Sequence, residues 1–111
     1  MNYSIVEADK EGVTEISLEN IKKYAEAGKI LEYVILEDEM PPKTIFVFKD
    51  HTAFQASGFA FGYGGEGPRG LHKAIRMFSE DIDEDFHKTA ISMLPKDRSW
   101  IWQPKRGFVH R

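Results

Sequence analysis

Ten consecutive residues, Gly62-Tyr63-Gly64-Gly65-Glu66-Gly67-Pro68-Arg69-Gly70-Leu71, carry the most distinctive chemistry in the chain. Five of the nine glycines fall between Gly62 and Gly70. Glycine permits backbone conformations closed to other residues, so successive N–H groups can converge on one point. Pro68 suits the first position of a helix, where no N–H partner is needed. The start of that helix would aim free N–H groups and a partial positive charge at the loop. Arg69 adds a fork-shaped cation matched to phosphate or carboxylate. This spacing points to anion binding, with Gly64, Gly65, Gly67 and Arg69 as the cradle. Tyr63 would stack on a base, and His72 would reach the ligand from the first helical turn. The competing reading is a tight turn whose glycines let a strand and a helix pack closely. The segment is neither a Walker A loop, since no Lys-Ser or Lys-Thr follows the glycines, nor a dinucleotide fingerprint. Glu66 would repel a phosphate placed beside it.

Trp100 and Trp102 would share one face of a strand, flanked by Arg98, Lys105 and Arg106. Aromatics interleaved with bases can stack on and neutralise a nucleotide. The same two rings serve equally as hydrophobic anchors of a core. The four histidines, His51, His72, His87 and His110, form no pair four residues apart. Asp83 and Glu84 lie four and three residues before His87, but a zinc site needs three protein ligands, so no metal site is assigned. Asp81, Asp83, Glu84 and Asp85 lack calcium-loop spacing and read as a solvated helix start. No serine sits in a nucleophile elbow and no paired acid–base groups stand out, so no catalytic residue is assigned and no cofactor is implied. An enzyme using Glu66 or His72 as acid–base ranks last.

The elements that must position these residues follow from periodicity. Leu18, Ile21, Tyr24 and Ala25 make one helical stripe, with Ser17 as N-cap and Gly28 at the C-terminal end. Ile30–Leu36 and Thr44–Phe48 read as strands covered on two faces. Between them Met40-Pro41-Pro42 is a break. A third strand runs from Ala53 to Phe61, with a bulge at Ser57-Gly58. Tyr3–Ala8 and Val13–Ile16 read as short edge strands. A second helix spans Pro68 to Glu80, with Leu71, Ala74, Ile75 and Phe78 inward. A third runs from Asp83–Asp85 to Leu94, with Phe86, Ala90, Ile91 and Leu94 inward. Ser99–Gln103 and Gly107–Val109 close the chain as strands. The expected fold is α+β: a mainly antiparallel sheet with two or three helices packed on it, in a single domain over residues 1–111.

Composition sets the outer bounds. The chain has 111 residues, 41% hydrophobic and 30% charged, with no cysteine. Disulfide scaffolds, thiol catalysts and cysteine-ligated zinc are excluded. No apolar run approaches a membrane span and no secretory signal opens the chain, so a cytoplasmic protein is expected. The net charge of −3 hides a gradient. Residues 1–42 carry ten acids against four bases, whereas residues 95–111 carry one acid against five bases. This balance argues against extended nucleic-acid binding. The basic tail can serve as a small patch or simply neutralise acids of the same fold.

Phe61-Gly62-Tyr63-Gly64-Gly65-Glu66-Gly67-Pro68, followed by Leu71, Ala74 and Ile75, resembles a small family of unknown function found in phages, plasmids and bacteria. Its members carry a Trp-Gly-Tyr-x-Gly-Ser-Gly-Pro signature leading into an Ala/Leu-rich helix. Here Phe61 stands in place of Trp and Glu66 in place of a small hydroxyl residue. The resemblance covers fewer than 20 of the 111 residues. It implies a small accessory protein of a mobile element, with the loop as hallmark and no reaction to carry over. Two functions are therefore expected. One is a non-enzymatic module binding a small anionic ligand such as a nucleotide, with Tyr63, Gly64, Gly65, Gly67, Arg69, His72, Trp100 and Trp102 as its site. The other is a protein-interaction module, docking on a host protein, in which the loop is a packing turn.

Overall fold

The β-branched and aromatic runs become the middle of a sheet. In the computed structural model, described for residues 2–80 and 82–111, the elements are β1 (Ser4–Ala8), α1 (Thr14–Glu26), β2 (Leu31–Glu37), β3 (Lys43–Phe48), β4 (Thr52–Ala56), α2 (Glu66–Arg76), α3 (Glu84–Met93), β5 (Trp100–Gln103) and β6 (Gly107–His110). The strands form one six-stranded sheet in the order β1-β4-β3-β2-β5-β6. β1 runs parallel to β4, and every other neighbouring pair is antiparallel. The fold is therefore α+β, as its residue pattern predicts. The side chains of Glu84 and Phe86, and all of Met1 and Asp81, lie outside the described residues. The inward placement expected of Phe86 and the roles weighed for Asp81 and Glu84 lie there too.

Register explains why the runs alternate so weakly. Val34 faces both Phe46 and Trp102 across the ladder, and Phe46 faces Phe54. This row packs with Ile21 of α1, Leu71, Ala74 and Ile75 of α2 and Ile91 of α3 in the main core. Ile35 faces Ile45 and Ile101 on the opposite side of the sheet. Those residues, with Tyr33, Val47, Ala53 and Tyr3, form a second cluster to which no described helical residue contributes. Both faces of β2 and β3 are thus apolar, but the helices cover only one. Each large side chain so buried contributes on the order of 2 kcal/mol.

Four readings at the element ends differ from the sequence expectation by more than one residue. α1 begins at Thr14, so Val13–Ile16 is the entry to the helix and not an edge strand. Ser17 is not its N-cap: Val13 occupies that position without a side-chain cap, and Ser17 is buried, one turn in. β4 ends at Ala56, because the chain leaves the sheet at Ser57-Gly58 instead of bulging and continuing. α2 begins at Glu66, two residues before Pro68, and ends at Arg76. Proline is tolerated anywhere in a first turn, since those N–H groups lack helical partners.

Candidate functional site

The glycine segment is built by close approach. Gly62 has φ +87°, and a Cβ there would lie 2.2 Å from Lys96 Cγ. Its N–H donates to the Ile91 carbonyl at 3.0 Å, tying the segment to the end of α3. The next residue, Tyr63, folds its ring back over the following backbone. A Cβ on Gly65 would stand 2.9 Å from Tyr63 Cε2, and one on Gly67 would stand 3.2 Å from the Tyr63 hydroxyl and 3.0 Å from Ala60 Cβ. Gly65 and Gly67 are in effect a seat for an aromatic ring. Lys96 Nζ sits 5.2 Å from the ring centroid and holds it further by cation–π attraction. One turn on, a Cβ at Gly70 would come within 2.3 Å of Thr14 Cγ2 and 3.2 Å of the Phe59 ring. Gly70 is what lets α2 lie against the start of α1.

Of the residues expected at an anion site, His72 and Trp102 are buried. Arg69 is exposed on α2, while His72, three residues on, is buried at 4% exposure on the inward side of the same helix. Glu66 occupies the first turn of α2, where its charge complements the helix dipole in place of a bound anion. Trp102 is 1% exposed and belongs to the main core. Trp100 shares its strand face and donates its indole N–H to the Pro95 carbonyl at 2.9 Å. Among the described residues, neither tryptophan forms a ring pair with Tyr63. Gly64 alone of the segment has open space around it.

A buried carboxylate braces this end. Asp9 Oδ1 accepts from the Ser57 N–H at 2.8 Å and the Ser57 hydroxyl at 2.5 Å. Asp9 Oδ2 accepts from the Ser17 hydroxyl at 2.9 Å and from Asn20 Nδ2 at 3.3 Å. Ser17 Oγ in turn accepts from the Gly58 N–H at 3.0 Å, and Thr14 Oγ1 donates to the Gly58 carbonyl at 2.7 Å. The knot joins the end of β1, the first turns of α1 and the exit from β4. It accounts for the burial of Ser17 and for the end of β4.

Above the knot lies a trough of about 550 Å³. Tyr63, Glu66 and Gly67 form one wall, Val13 at the entry to α1 another, and Met40-Pro41-Pro42 a third. The Met40–Pro41 peptide is cis. Three large apolar side chains of this trough stand in solvent: Met40 at 96% exposure, Tyr63 at 45% and Val13 at 43%. Of these, only Tyr63 was legible as a functional residue. Val13 and Met40 are brought to it by tertiary folding, from parts of the chain that read as an edge strand and a break.

A larger cleft, of about 950 Å³, opens elsewhere, between the end of α2 and the β5–β6 turn. His87 and Trp102 are among its lining residues, with Phe78, Lys105 and Arg106. Trp102 donates its indole N–H to His87 Nε2 at 3.0 Å, which makes that nitrogen the acceptor of a neutral imidazole. Burial pushes the His87 pKa below the usual value, and Asp83 opposes that shift. The pairing of His87 with Trp102 has no short-range sequence signal, because α3 and β5 meet only in the folded chain. Among the described residues, no three His, Asp or Glu side chains gather as metal ligands, and no helix is long and apolar enough to cross a membrane. No family model, curated protein or solved structure matches the chain.

Proposed function

We propose that this protein is a non-enzymatic interaction module that docks a segment of another protein in the Tyr63–Met40–Val13 trough. The observation that carries this reading is the seated aromatic: Tyr63 lies on Gly65 and Gly67, yet keeps 45% of its surface in solvent. An aromatic ring fixed before binding loses little entropy on binding, which is the property of an interface anchor. Met40 supplies an unbranched, adaptable contact beside it. The rim supports a choice of partner. Glu66 lines the trough, Glu11 and Glu15 stand exposed next to Val13, and the first 42 residues carry ten acids. The segment that fits offers apolar side chains flanked by Lys or Arg.

Selection of a random peptide library on the immobilised protein tests this. The expected outcome is enrichment of apolar sequences with basic flanks, whose binding weakens with salt. Met40→Glu combined with Tyr63→Ser should reduce that binding at least tenfold while the far-ultraviolet circular dichroism is unchanged. Selected peptides that bind this double variant as well as the natural chain would overturn the reading.

A further inference from the structure

We propose that the cleft between α2 and the β5–β6 turn is a second, independent site, which binds a small molecule made of a flat apolar body and one phosphate or carboxylate. The volume, about 950 Å³, lies within the range of small-ligand sites. Its lining is divided in a way that fits such a molecule. Met77, Phe78 and Ile82 line one part with apolar surface, alongside His87 and Trp102. Lys105 and Arg106 add two cations to the same lining. No ion pair joins either cation to a described residue, and among the described residues of the lining the two cations stand with one acid, Glu80.

The cations are held by rigid backbone. β5 and β6 are paired residue for residue from Trp100–His110 to Gln103–Gly107, and the turn is closed by the Arg106 N–H donating to the Gln103 carbonyl at 3.2 Å. Lys105 takes a positive φ of 70° within that turn. The backbone positions of the two adjacent cations are thus set before a ligand arrives, while their exposed side chains are ordered on binding. The guanidinium of Arg106 matches a phosphate or carboxylate with two parallel N–H donors. The apolar side cannot satisfy a fully polar anion, so inorganic phosphate alone should bind poorly. The half-buried His87 is the ring a flat ligand would meet, and the hydrogen bond from the buried Trp102 fixes its orientation.

A two-dimensional proton–nitrogen NMR titration tests the proposal. The probes are adenosine monophosphate, 1-naphthoate, adenosine and inorganic phosphate, each added to the natural chain and to Lys105→Glu/Arg106→Glu. The reporters are the Trp102 indole N–H and the backbone amides of Lys105 to Gly107. The expected result is saturable movement of these signals with adenosine monophosphate or naphthoate, and at least tenfold weaker binding of adenosine and of phosphate. Which of the two anionic probes binds tighter separates phosphate from carboxylate as the anchor. In the double variant, whose spectrum itself reports that the fold is kept, the response should fall at least tenfold. Absence of movement with both anionic probes would overturn the proposal. So would movement confined to Gly62–Gly70, or an undiminished response in the double variant.

Discussion

The two ends of this molecule use backbone and side chains in opposite ways. At the glycine end, the chain gives up side chains so that other groups can come close: Gly65 and Gly67 for the ring of Tyr63, Gly70 for Thr14 and Phe59. The surface that results is apolar, with Glu66 in its lining and Lys96 against the Tyr63 ring. At the cleft end, the backbone is a regular antiparallel ladder and the cleft is made by side chains, with Trp102 bonded to His87 and two cations on a turn. Gly62, Gly65, Gly67 and Gly70 are thus points of close approach, whereas the described lining of the cleft includes one glycine, Gly107.

That contrast can be broken most forcefully at Gly70. Gly70→Val places a branched side chain where even a Cβ would meet Thr14 Cγ2 at 2.3 Å. Overpacking of this kind costs about 3 kcal/mol. Chemical denaturation should show that loss, and a melting temperature lower by on the order of 10 °C should accompany it. A Gly70→Val protein as stable as the natural chain would mean that α1 and α2 are not closely packed. Next in size is Asp9→Ala, which leaves the Ser57 N–H and the Ser17 hydroxyl without their buried acceptor. The expected cost is about 2 kcal/mol, read by the same denaturation. At the other end, Trp102→Phe removes the donor to His87 and some core volume, for about 1.5 kcal/mol.

The pH dependence sharpens the comparison further. Burial holds the folded His87 pKa below that of the unfolded chain. The unfolded state therefore binds the proton more readily, and stability should fall as pH drops through about 6.5, levelling off below the folded pKa. Protonation at Nε2 also removes the acceptor used by Trp102. In His87→Gln this part of the pH slope should vanish, and a slope unchanged by the substitution would assign it elsewhere. The smallest effect is expected for Lys105→Glu/Arg106→Glu, within about 0.5 kcal/mol, because both residues are exposed and outside the core.

Much of the architecture was legible in the sequence. The strands at Thr44–Phe48 and Trp100–Gln103 and the third helix follow from their runs and periodicity, and they fix the α+β class. The entry to α1 was not legible. Val13-Thr14-Glu15-Ile16 is β-branched at three of its four positions, and only the tertiary knot around Asp9 turns it into a helix start. Ser17 carried an N-cap signature because short hydroxyl side chains serve caps and buried networks equally well. At the candidate site, the glycine spacing singled out Tyr63 and the close-packing alternative. It could not show that Val13 and Met40 would stand beside Tyr63, since contacts across the fold leave no local pattern. Nor could the glycine spacing show where the boundary between solvent and core would fall on α2. Arg69 and His72 are three residues apart on α2, yet one is exposed and the other is packed inward.

The most direct measurement is the affinity of a library-selected peptide for Gly65→Ala, by isothermal titration calorimetry beside the natural chain. Gly65 has an extended backbone that alanine adopts without strain, and its added methyl would meet only the Tyr63 ring. Every apolar side chain of the trough is kept, and only the seat is lost. At least tenfold weaker binding, with stability nearly unchanged, is the result predicted for an anchor presented by glycines. Equal affinity in the two proteins would contradict the account.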